Sequence, residues 1–169
     1  IPLALLIGLF ISTFVLGCGK ILEGNNGGKK GTLLPPDNLK VVEASSEYDT
    51  RFLKDNVLSG AEEPDSFQGE LANYWLAKNG TSEEYFIIDM KQDRTIVDFD
   101  IQNTTNNLYK DRGTKEYTIQ ISDGQDGPWT DIVSGTLLPV KSVIQSCPNF
   151  NPQTGRYIKF RVTKLGGEK

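Results

Sequence analysis

The sequence predicts an all-β fold, a sandwich or barrel of antiparallel strands, on three observations. Apolar and polar residues alternate with period two in several short runs. Turn residues separate those runs, and no long helical period follows the first nineteen residues. A strand with one wet face and one dry face belongs to an antiparallel sheet covered on one side.

The chain opens with IPLALLIGLFISTFVLGCGK, apolar from Ile1 to Leu16 and without charge before Lys20. That run is shorter than the ~20 residues a spanning helix prefers. Small residues follow at Gly17 and Gly19. Residues 1–19 are therefore expected to be a secretory signal peptide or an uncleaved membrane anchor, which places the protein outside the cell or on its surface. VLGC also fits a lipoprotein box, with Cys18 as the lipidated residue. Residues 20–39 are rich in Gly, Asn, Lys and Pro and read as a flexible linker. On that reading, a chain starting near Leu33 folds as well as the whole.

From residue 40 the texture changes. EYFIIDM (Glu84–Met90) reads as a strand. TIVDFDIQN sets Val97, Phe99 and Ile101 inward against Asp98, Asp100 and Gln102 outward. KEYTIQIS sets Tyr117, Ile119 and Ile121 inward. RYIKFRV sets Ile158, Phe160 and Val162 inward, with Lys159 and Arg161 outward. SDGQDGPW is a turn whose glycines tolerate positive φ. Trp75 and Trp129 are expected in the core, and no internal repeat is visible.

Composition narrows the chemistry. With 169 residues the chain suits one domain that buries its core without staples. A formal charge of −4 argues against a nucleic-acid partner, which demands a basic face. The absence of histidine removes the commonest general base and the commonest zinc ligand. Two cysteines cannot build a thiolate cluster, so a metallohydrolase, a Ser-His triad and a Cys-His pair are all disfavoured. Carboxylates are plentiful enough for a glycosidase-type pair, but no spacing singles one out. Cys147 is expected to be a free thiol, or to pair only between molecules, because cleavage near Gly19 removes Cys18. Sequons at Asn79 and Asn103 mark two expected glycosylation sites, read beside the secretory leader.

The segments ASSEY, LKDNVLSG, YWLAKNGTSEEYFIIDM, RTIVDFDIQNT, DRGTKEYTIQIS, GPWTDI and RYIKFRV follow one another in order. Together they resemble the discoidin domain, the coagulation factor 5/8 type C domain of the galactose-binding-like superfamily. The resemblance spans about Val41 to Leu165, so residues 40–169 read as one discoidin-like domain. It implies a jelly-roll β-sandwich whose loops at one end bind ligands. It also implies an extracellular module without enzyme activity of its own. The sequence departs from the family in three places. Ser59 stands where members often have an aspartate, which weakens the family's frequent calcium site. No disulfide can tie the two ends. The family also continues past RVTKLGG, so the domain reads as C-terminally truncated, with a strand missing.

Three loops carry the candidate site residues. SSEYDTR places Tyr48, Asp49 and Arg51 at the presumed ligand end. NTTNNLYKDRGTK offers Leu108 and Tyr109 as an apolar tip over Lys110 and Arg112. Such a tip suits stacking on a sugar ring with a cationic hydroxyl donor, or insertion into a lipid surface. The plainer reading pairs Arg112 and Lys115 with Asp111 and Glu116 to stiffen the turn. AEEPDS gathers Glu62, Glu63 and Asp65, hard oxygen ligands that would suit calcium, with Glu63 and Asp65 the candidate metal ligands. The expected function is a non-catalytic extracellular adhesion or binding module for glycans or for cell-surface and matrix proteins. The alternatives are a peripheral module on anionic phospholipid membranes and a carbohydrate-binding appendage of a larger enzyme.

Overall fold

The computed structural model describes residues 21–24, 31–58, 74–78, 81–104, 113–140 and 143–166. Within them lie the strands β1 (Ile21–Glu23), β2 (Thr32–Leu33), β3 (Lys40–Ala44), β4 (Tyr85–Gln102), β5 (Thr114–Ser122), β6 (Thr130–Thr136), β7 (Ile144–Ser146) and β8 (Gln153–Leu165). Two short 3-10 turns, Pro36–Asn38 and Lys54–Leu58, are the helical elements among the described residues. The strands run in the order β2-β1-β4-β8-β5-β6, with β3 and β7 also on β4, and all these pairings are antiparallel. The all-β class read from the alternation is the observed one.

β4 sets the architecture because it doubles back. Tyr85 pairs with Arg161 near the end of β8, and Thr114 pairs with Leu165 at that same end. Asn103, just past β4, hydrogen-bonds Thr114. A straight strand would carry Asn103 ~60 Å from Tyr85 at ~3.3 Å per residue. The reversal has a local cause. Lys91 sits at a φ of 64°, and the pairing with β8 shifts register between Asp89 and Arg94. The Asp89 carboxylate accepts the Lys91 N–H at 2.7 Å, and the Lys91 ammonium donates to the Asp37 carbonyl.

The core forms on the face the alternation assigned. Phe86, Ile88, Tyr117, Ile119, Ile121, Ile158, Phe160 and Val162 are all buried in one cluster. Its centre is a line of rings. Tyr117 stacks on Phe160 at 5.3 Å, Phe160 on Phe86 at 5.2 Å, and Trp75 meets Phe86 edge-on at 5.4 Å. Trp75 therefore packs against the core as expected.

Four expectations meet a different structure. First, part of the linker belongs to the fold. Ile21 pairs with Phe99 and is buried, as are Leu34 and Leu39. The Glu23 carboxylate takes the Arg94 guanidinium at 2.9 Å, and Arg94 is itself buried. A chain starting near Leu33 would lose Ile21 and strand that buried charge. Second, Ile96 rather than Val97 is buried, because the β1 register slips between Leu22 and Glu23 and leaves Val97 in a bulge. Gly24 and Gly31 close over it, for a Cβ on either would lie within 2.8 Å of a Val97 methyl. Third, Trp129 is half-buried outside the core cluster, with the Lys159 ammonium 4.1 Å from its ring centroid. Fourth, Asn103 is buried (6% exposed) and its Nδ2 donates to the carbonyls of Thr114 and Leu138 at 2.8 and 3.0 Å. That nitrogen is the atom a glycan would need, and in this fold it serves as a structural clamp.

Cys147 is a buried free thiol, as the sequence reading held. Burial, with Asp98 and Asp100 nearby, pushes it from the ordinary thiol value of 9.0 up to about 12. Burial also raises Tyr117. Because these folded-state values are raised, their contribution to stability is complete below pH 9 and is lost as pH climbs toward 12. The melting temperature should therefore fall across pH 9–12, and Cys147→Val should flatten part of that slope. At pH 8 the thiol should resist alkylation until the chain unfolds. Mass spectrometry after iodoacetamide treatment reads this directly.

Candidate functional site

Strand ends and connections gather at the end of the sheet where β3 finishes and β4 and β5 begin. The connection after β3 starts with Ser45 and Ser46, whose hydroxyls both donate to the buried carboxylate of Glu84, Ser46 at 3.0 Å. Ser45 Oγ also accepts the Tyr85 N–H, and Ser46 Oγ the Lys78 N–H, each at 2.9 Å. The indole N–H of Trp75 donates to the Ser46 carbonyl at 2.9 Å. The ring line of the core thus ends in a polar bracket that fixes the start of this loop.

The loop then presents the candidates. Tyr48 N–H donates to the Leu76 carbonyl at 2.8 Å, and Phe52 is buried against Tyr74 and Leu76. Tyr48 stands 44% exposed, edge-on to Phe52. Asp49 folds back as an Asx turn: Oδ1 accepts the Arg51 N–H at 2.8 Å. The Arg51 guanidinium grips the same carboxylate through Nε at 3.1 Å and Nη2 at 2.6 Å, and lies over the Phe52 ring. Asn56 pins this turn by donating to the Arg51 and Tyr74 carbonyls. The Arg51 hydrogen bond holds the Asp49 carboxyl below its usual range, so it is an anionic acceptor at neutral pH. An aromatic ring, a fixed carboxylate and the remaining guanidinium N–H groups thus share one exposed turn. That set can stack on an apolar ring face and exchange hydrogen bonds with vicinal hydroxyls.

A small cleft lies beside it, lined by Trp75, Leu76, Thr81, Glu84, Thr104 and Thr114. It encloses about 40 Å³, room for water and not for a sugar ring. Thr104 and Thr114 flank the 105–112 connection, and Asn103 ties its neck. The Tyr48 loop and this neck therefore meet across Trp75 and Leu76, which brings the first candidate loop and the base of the second to the same end of the sheet. Leu108, Tyr109, Lys110 and Arg112 lie outside the described residues, as do Glu63, Asp65 and Asn79.

The F5/8 type C domain profile matches residues 41–169. The chain belongs to the F5/8 type C domain family. Among curated proteins, none matches it. Solved structures similar to this F5/8 type C domain include chitosan-binding module 1 of a chitosanase/glucanase from Paenibacillus sp. IK-5. The two are 18% identical with a TM-score of 0.53, over 76% of this chain and 85% of that one. A family 32 carbohydrate-binding module from C. perfringens NanJ, in complex with galactose, is 16% identical with a TM-score of 0.54, over 79% and 88%. Another Clostridium perfringens protein, in complex with GalNAc-β-1,3-galactose, is 18% identical with a TM-score of 0.52, over 79% and 90%. The fold is accordingly a jelly-roll β-sandwich.

The sequence singled out Tyr48, Asp49 and Arg51, which the structure brings together. It did not single out Ser46, Asn56 and Glu84, which hold the loop. The paired serines of ASSEY were the visible trace, but their partner Glu84 is 39 and 38 residues away.

Proposed function

We propose that this F5/8 type C domain is a non-catalytic glycan-binding module working outside the cell, with the Tyr48–Asp49–Arg51 turn as part of its binding surface. The observation that carries the reading is the forked Arg51–Asp49 pair beside the exposed Tyr48 ring. The similar modules bound to galactose and to GalNAc-β-1,3-galactose support the ligand class. The lowered Asp49 suits it to accept hydroxyl protons and not to deliver one as a general acid.

A second reading, docking on anionic lipid, draws on one observation. Leu138, Val140 and Val143 on the β6–β7 connection, and Ile144 at the start of β7, are exposed, and Asn103 ties that connection to the site end. An array of galactosides, N-acetylgalactosaminides and chitooligosaccharides, run beside pelleting with phosphatidylserine vesicles, separates the two. The glycan reading expects retention on a sugar class and none on vesicles. Tyr48→Ala with Arg51→Ala should weaken that binding by roughly 1–3 kcal/mol. Vesicle binding with an empty array would replace it by the lipid reading.

A further inference from the structure

The sheet has a second face, turned away from the core, and it is not a plain solvated surface. In register Tyr85 lies opposite Arg161, and Ile87 opposite Lys159 and Glu43. Gln120 and Thr118 continue these rows on β5. Ile87 is buried yet stands outside the core cluster, so something covers it from this side. The Ser122–Trp129 turn folds across: Gln125 Nε2 reaches Glu43 Oε2 at 3.5 Å, and Trp129 lies on Lys159.

The result is a cation between two rings. Lys159 Nζ is 4.1 Å from the Trp129 centroid and 4.9 Å from that of Tyr85. No described residue accepts a hydrogen bond from this ammonium. Two residues along the same face, Arg161 Nε is buried without a partner, while its Nη1 reaches Glu83 at 3.3 Å. The nearby carboxylates are already engaged: Glu43 Oε1 accepts from Tyr85 at 2.6 Å, and Asp131 accepts from Gln120 at 2.7 Å. Burial lowers the Lys159 pKa, with Glu43 acting against that and Arg161 with it.

An ammonium held between two rings and a guanidinium with one buried, unpartnered N–H thus stand ~7 Å apart along one strand. Unpaired donors out of water are costly and favour an acceptor, best a charged one. A sugar carrying a carboxylate or sulfate supplies both the acceptor and a ring face to lie on the indole. We infer that this outer face, at Trp129, Tyr85, Lys159 and Arg161, is a second carbohydrate site, selective for anionic sugars and separate from the Tyr48 loop.

The test is an NMR titration of the chain with trigalacturonate and, separately, with its methyl ester, following the Trp129 indole N–H. The acid should give a saturable shift, and the ester should bind at least ten-fold more weakly. Lys159→Met with Arg161→Gln should lose at least ten-fold in affinity, Lys159→Arg should keep it, and Tyr48→Ala with Arg51→Ala should leave it unchanged. The last variant keeps this site's result independent of the loop's. No indole shift, an equal response to the ester, or an unaltered titration in the Lys159/Arg161 variant would overturn the inference. If that variant does not fold, the comparison of acid with ester on the unmodified chain decides alone.

Discussion

Phe160→Ala should cost about 3–5 kcal/mol of unfolding free energy, the largest single effect expected in this domain. Phe160 is 6% exposed and stacks between Tyr117 and Phe86. Removing it leaves a cavity with a ring on each side, and β4, β5 and β8 cannot close on it without giving up their register. The loss should pass outward, since Phe86 supports Trp75 and Trp75 holds Ser46. Urea unfolding should show the drop in midpoint. Phe160→Leu, which fills much of the space, should lose far less.

The second large effect is Asn103→Ala, expected to cost roughly 2–4 kcal/mol by taking the side-chain partner from the part-buried Thr114 carbonyl and N–H, at about 1–3 kcal/mol each. The side chain serves the Thr114 carbonyl and N–H, and it also donates to the Leu138 carbonyl, which keeps the Val140 N–H and Gln145 Nε2. Asn103→Asp keeps an acceptor for the Thr114 N–H but sets a carboxylate against two carbonyls, so it should not rescue. Mass spectrometry of protein made in a glycosylating host should find Asn103 unmodified in the folded chain. Occupancy there in soluble, cooperatively melting protein would contradict the clamp.

How much of this was legible differs by element. β5 and β8 were readable because each runs straight through the sheet, so period two persists from Tyr117 to Ile121 and from Ile158 to Val162. β4 was readable only in pieces. The bulge at Val97 and the positive φ at Lys91 break the period that alternation relies on, and both depend on distant partners, β1 and Asp37. β1 and β2 were hidden because three- and two-residue strands show no period, and their glycine-rich surroundings resemble a linker. Asn103 matched a sequon, a local pattern that carries no information about the carbonyl of Leu138, 35 residues on. Trp129 was assigned to the core from its place after a turn and before a short strand. Its partner Lys159 is on another strand and shows why a ring can be half-buried away from the core. For the site, the residue types of the Tyr48 turn were visible because Asp49 and Arg51 are two apart. The bracket that holds the turn joins Ser45 and Ser46 to Glu84 and was not visible.

We propose that this F5/8 type C domain binds sugar at the end of the sandwich where Trp75 meets the Tyr48 loop. The most direct measurement is a galactose titration followed by backbone and indole NMR. Saturable shifts are expected at the amides of Tyr48, Asp49 and Arg51 and at the Trp75 indole, whose N–H is fixed to Ser46. Saturation with those signals unmoved, or no saturable shift for galactose, N-acetylgalactosamine or chitotriose, would contradict it.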